Sequence, residues 1–137
     1  MTRLLNIYQC AYSVFEGLLP EPHNTSILQL LFTLAHWHGL AKLRMHTDVT
    51  LRILDDTTTN LGQQLRHFQT EICPVYTTRE LKREAAARAR QNGKATSERI
   101  AKGFNLQTYK IHALGDYVDA IKTYGTTDSY STEMVSF

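Results

Sequence analysis

Residues 26–44 read SILQLLFTLAHWHGLAKLR, and this stretch decides the fold. Ile27, Leu28, Leu30, Leu31, Phe32, Leu34, Ala35 and Trp37 leave almost no polar side on a helix. A helix that is apolar nearly all round at this length belongs at the centre of a helical protein. Asn24 and Thr25 are good N-cap residues for it, and it runs from Ser26 to about Arg44. Gly39 weakens its middle by about 1 kcal/mol relative to alanine and marks a place for a kink.

Working outward, the segment before it also reads as helix. Leu4, Ile7, Tyr8, Ala11, Val14, Phe15 and Leu18 recur at three- and four-residue steps, and Pro20-Glu21-Pro22 ends the pattern. After it, a long helix begins at Thr47-Asp48, with Asp48 at the positive end of the dipole. Its stripe is Val49, Ile53, Thr57, Leu61, Leu65, Phe68 and Ile72, and it ends at Cys73-Pro74. Such a narrow stripe suits packing along a partner helix, while the run Thr57-Thr58-Thr59-Asn60 is a place for it to break.

Thr77 and Glu80 have capping-box spacing, so a helix over Glu80–Gln91 is expected, closed by Asn92-Gly93. Residues 93–103 read as a polar connector. A last helix starts near Asn105, carries Ile111, Leu114, Val118 and Ile121 on one face, and ends at Gly125. The tail from Thr126 reads as loop. No alternating strand pattern is present. The expected fold is all-α, with four to six helices around a central buried one. It forms one domain: a helical core over 1–76, a basic helix and connector over 77–103, and a C-terminal helix with a polar tail over 104–137.

Composition removes several functions. The chain has 137 residues, 42% apolar and 20% charged, with a net charge of +2. That is a globular balance with no bulk signal for a polyanion or a lipid surface. Cys10 and Cys73 do not form a CxxC pair, so neither a disulfide framework nor a zinc site is indicated. No apolar run approaches the roughly 20 residues of a membrane helix, and the first residues do not read as a signal peptide.

Charge is unevenly placed, however. Between Arg79 and Lys102 lie Arg79, Lys82, Arg83, Arg88, Arg90, Lys94, Arg99 and Lys102, opposed only by Glu80, Glu84 and Glu98. The segment is +5 and the remainder −3. Two readings stand: a surface for nucleic-acid phosphates, or an ordinary solvated helix.

Other chemistry-bearing residues are sparse. There is no GxSxG, glycine-rich phosphate loop or HExxH. His36 and His38 point to different sides of a helix, and His46 is too far from His38 to share a ligand with it. Trp37 either packs in the core, as its neighbours favour, or stacks on an unpaired base. His112, Asp116 and Asp119 share one face of a continuous helix. They form either a weak metal site or, more simply, a solvated polar face with a local His–Asp pair.

Residues 18–74, LLPEPHNTSILQLLFTLAHWHGLAKLRMHTDVTLRILDDTTTNLGQQLRHFQTEICP, resemble the helical region near the C-terminal end of the catalytic part of Plavaka-type fungal transposases. Residues 105–133, NLQTYKIHALGDYVDAIKTYGTTDSYSTE, resemble the block that follows it, and TTRELKREAAARARQ connects the two. The likeness runs from Leu4 to Glu133. It implies a piece of an RNase H-like enzyme that cuts and joins DNA with carboxylates holding two divalent metals, Mg2+ or Mn2+, about 4 Å apart. In that family a helical insertion separates the earlier catalytic aspartates from the last acid. The resemblance therefore implies a fragment, inactive alone and with no cofactor of its own, working in the nucleus with DNA and the remainder of a transposase. Glu133, with Asp128 behind it, stands closest to the expected last acid. Beyond Glu133 the family's usual charged continuation is replaced by Met134-Val135-Ser136-Phe137. Alternatives are a helical interaction module or domesticated remnant binding DNA or protein, and a small metal enzyme using His112, Asp116 and Asp119.

Overall fold

A computed structural model describes residues 10–93 and 98–127. It is all-α: α1 (His23–Ala41), α2 (Asp48–His67), α3 (Lys82–Gln91), α4 (Tyr109–His112) and α5 (Tyr117–Tyr124), preceded by helical residues 10–15. Among the described residues no strand occurs, and the pairing outside helices is an isolated antiparallel bridge between Arg79 and Ala101.

α1 and α2 pack antiparallel as the central hairpin, with the short C-terminal helices against them. The core joins Leu30, Trp37 and Ala41 of α1 to Leu54, Leu61 and Leu65 of α2, and to Leu106, Val118 and Ile121. The burial of α1 is one-sided. Ile27, Leu30, Thr33, Trp37 and Ala41 face inward, while Phe32 is 65% exposed. Asn24 does not cap α1. It is buried, and its side-chain oxygen accepts the Gly17 N–H at 3.1 Å, tying the helix to the preceding turn. Gly17 sits at φ +71°, a conformation that favours glycine. The backbone N–H at Thr25 is instead satisfied by the Glu21 carboxylate at 3.2 Å. α1 passes through Gly39 and stops at Ala41, whose carbonyl accepts the Thr127 hydroxyl at 3.0 Å.

α2 starts as the sequence implies. The Thr47 hydroxyl accepts the Thr50 N–H at 3.2 Å, and the Thr50 hydroxyl accepts the Thr47 N–H at 2.8 Å. The threonine run does not break it, because the Thr57 and Thr58 hydroxyls donate back to the carbonyls of Ile53 and Leu54 at 2.6 and 2.7 Å. The buried stripe is Leu54, Thr57, Leu61 and Leu65, whereas Val49 is 54% and Ile53 41% exposed. A pattern stepping by four drifts about 40° per step on a helix turning 100° per residue. By Ile53 and Val49 it has rotated about 80° and 120° away from Leu61. A π-helical turn over Phe68–Ile72 and a 3-10 turn over Cys73–Val75 follow, and Ile72 is buried. Cys73 is still helical at φ −55° and ψ −38°, Pro74 sits in the first turn of the 3-10 segment, and the chain turns extended only at Tyr76.

The C-terminal helix is interrupted. Asn105 does not start it but folds its side-chain oxygen onto the Gln107 N–H at 2.8 Å. α4 is a single turn, a 3-10 segment over Ala113–Asp116 follows, and only then does α5 begin. Leu106, Val118 and Ile121 reach the core all the same.

Candidate nucleic-acid interface

The basic segment folds around one acid. The expected helix start at Glu80 is displaced to Lys82, with Glu84 reaching back to the Leu81 N–H at 3.1 Å. Residues 78–80 are instead extended and pair with 100–102. The Glu80 N–H donates to the Ile100 carbonyl at 2.9 Å and the Lys102 N–H to the Thr78 carbonyl at 2.9 Å. The Thr78 hydroxyl donates to the Lys102 carbonyl at 2.6 Å. Part of the expected polar connector is thus hydrogen-bonded backbone.

Glu80 is 5% exposed. Its carboxylate accepts Arg88 Nε–H at 3.1 Å and Nη2–H at 2.9 Å, and also the Ile100 N–H at 3.3 Å. Lys102 Nζ lies at 3.9 Å. Arg88 also donates to the Glu98 carbonyl at 2.6 Å, and Arg99 donates to the Glu80 carbonyl. The bidentate Arg88 pair holds the Glu80 carboxyl below the usual carboxylate range, a hydrogen bond from Ile100 and the charge of Lys102 adding to it against the opposing effect of burial.

This clasp divides the eight basic residues. Arg88 and Arg99 are engaged within the segment, and Lys102 leans toward Glu80 while staying largely exposed. Arg79, Lys82, Arg83 and Arg90 are exposed, with Arg90 lying along its own helix toward the Ala86 carbonyl at 3.4 Å. Lys94 lies outside the described residues. Arg83 and Arg90 are seven residues apart on α3. They therefore share a face about 10 Å along the axis.

Loss of the Glu80 charge should show directly in solution. Its folded-state pKa is depressed, so its contribution is present above the unfolded value, about 4.3, and is lost as pH falls through the folded one. The Ile100 amide resonance should therefore hold its clasped position through the pH range in which a free glutamate protonates and shift only as pH falls through the lower folded-state pKa. In Glu80→Gln no such acid-driven shift should occur, and a shift persisting there would assign it to another group.

The other candidates separate. Trp37 is 6% exposed, donates Nε1–H to the Thr58 hydroxyl at 2.8 Å, and meets Tyr117 edge-on at 4.8 Å. It is a core residue. His36 is exposed beside Phe32 at 6.2 Å. His38 is half-buried, and desolvation with Lys42 nearby holds its ring below the ordinary histidine range. His46 Nδ1 meets the Thr50 hydroxyl at 3.4 Å.

His112, Asp116 and Asp119 fall on α4, the 3-10 turn and α5, so the continuous helical face expected for them does not exist. All three are exposed, and Asp119 stands 3.9 Å from Lys122. Among the described residues no group of three or more His, Cys, Asp or Glu side chains is arranged to hold a metal ion. Glu133 and Asp128 lie outside the described residues. No helix among the described residues is long and apolar enough to cross a membrane.

Periodicity on one helix could not reveal Glu80 as the hub, because its Ile100 and Arg99 partners lie 20 and 19 residues away. The only local signal is a lone acid between Arg79 and Lys82. Comparison with protein-family models, curated proteins and solved structures finds no match to this chain.

Proposed function

We propose that this chain is a helical part of a Plavaka-type transposase that holds DNA by its phosphates and does not itself cut it. The observation that carries the DNA contact is the exposed set Arg79, Lys82, Arg83 and Arg90, displayed on and beside one short helix in a segment of net charge +5. The resemblance of residues 18–74 and 105–133 supplies the family. Cations spread over a helix and its flank read charge rather than base edges, so binding is non-specific, with Kd on the order of 10⁻⁴–10⁻⁶ M at physiological salt.

The test is DNA affinity across a salt series for the parent and for Lys82→Gln/Arg83→Gln/Arg90→Gln. Glutamine preserves helix propensity, so folding should survive. Each lost phosphate contact should flatten the dependence of log K on log salt by about one unit, up to about three for the triple variant. Equal slopes would leave α3 as an ordinary solvated helix.

Strand cleavage should be absent. Two-metal transfer needs several carboxylates converging on the ions, and Asp48, Asp55, Asp56, Asp116 and Asp119 are all exposed and spread over three elements. Supercoiled plasmid incubated with the chain and Mg2+ or Mn2+ should stay intact. Reproducible nicking that disappears in Glu133→Ala would show a complete site.

A second reading, an interaction module for a protein partner, draws on the apolar surface. Phe32, Met45, Val49 and Ile53 are all well exposed. Within the transposase reading, these side chains are where the remainder of the enzyme would pack.

A further inference from the structure

α3 is weakly anchored by apolar contact. It buries Ala85 and Ala89, and its flanking Leu81 is 65% exposed. Two buried methyl groups take little apolar surface out of water, so something else must fix where this helix points. The Glu80 carboxylate meets α3 through Arg88 and the returning segment through Ile100, with Lys102 beside it, and Arg88 reaches that segment as well at the Glu98 carbonyl. It occupies a site built from a guanidinium, an ammonium and a backbone N–H, which are the donors an external anion would otherwise meet.

We propose that Glu80 is the positioning residue of the phosphate-facing surface. By drawing Arg88 inward and closing the 78–80 and 100–102 pairing, it turns α3 so that Arg83 and Arg90 face outward together beside Arg79 and Lys82. This rests on the reading of the segment as a DNA contact, and it carries a consequence opposite to charge counting. Glu80→Gln removes one negative charge and so raises the net charge of the segment by one, so electrostatics alone predicts tighter DNA binding. If Glu80 positions α3, the variant must order the helix as it binds, and affinity falls.

The experiment compares the parent, Glu80→Gln and Arg88→Gln/Arg99→Gln. Amide exchange at Ile100 and Lys102 reports the pairing, affinity for a mixed-sequence duplex across a salt series reports the surface, and the thermal midpoint followed by Trp37 emission reports the core. Both variants are expected to lose protection at Ile100 and Lys102 with the core midpoint nearly unchanged. Glu80→Gln is expected to bind DNA more weakly, on the order of tenfold. Tighter binding by Glu80→Gln, or unchanged protection at the two amides, overturns the proposal. A parent without salt-dependent binding removes the DNA reading instead. The exchange comparison then still decides the clasp, and unchanged protection in Glu80→Gln rejects it.

Discussion

Leu54→Ala should lower stability by about 2–5 kcal/mol, the range for emptying a buried leucine site. Leu54 is fully buried, as is Leu61 two turns further along the same face of α2. The cost combines lost transfer energy with the cavity that remains, and helices packed from both sides collapse little into such a space. For a domain of this size the thermal midpoint should fall on the order of 10 °C. The adjacent Ile53→Ala is the control. Ile53 is 41% exposed, so truncation there removes much less buried surface and should cost well under half as much. Thermal unfolding of both variants by far-UV circular dichroism checks the pair. Similar losses at the two positions would mean that the buried face of α2 runs where a simple four-residue repeat puts it, through Ile53.

That adjacent pair also shows how far the sequence carries. The existence of α1 and α2 was legible because apolar residues recur over 19 and 20 positions, long enough for a pattern to outweigh single exceptions. The phase of α2 was not, because Val49-Ile53-Thr57 and Leu54-Leu61-Leu65 are both plausible stripes until a partner helix selects one. α1 looks apolar all round, yet Phe32 remains open, since the described elements cover one side of the hairpin. The broken C-terminal helix was missed for a local reason. Asn105 closes a turn on Gln107, and Gly115 and Asp116, both weak helix formers, lie in the 3-10 segment.

For the candidate interface, the sequence showed which residues are basic but not which of them face outward. The division between Arg83 and Arg88 depends on Glu80, and the place of Glu80 depends on backbone pairing with residues about 20 positions later. The expected capping box failed for the same reason. A carboxylate offered two N–H groups of a guanidinium and a backbone amide is better satisfied than one capping a single exposed N–H. Glu133 is different in kind, since the resemblance alone singles it out.

Trp37→Ala should be as damaging as Leu54→Ala, at about 3–5 kcal/mol. The indole is buried, packs edge-on against Tyr117, and satisfies its N–H on Thr58, so one residue ties α1 to both α2 and α5. Two milder variants separate these contributions. Trp37→Phe keeps an aromatic ring and gives up the hydrogen bond and part of the volume. Thr58→Ala keeps the indole but leaves its N–H without that acceptor, which costs about 1–3 kcal/mol at a buried site. Both should therefore be less damaging than the alanine at 37. Trp37 is the sole tryptophan, so its emission is a clean reporter. In the native protein it should be blue-shifted, moving red only with global unfolding. Single-stranded DNA should leave it unquenched, because a ring enclosed by Tyr117 and Thr58 has no free face for a base. Quenching that saturates with DNA while the thermal midpoint holds would mean that the indole is reachable from solvent. That result would restore base stacking as its role and remove the interhelical tie from the account of stability.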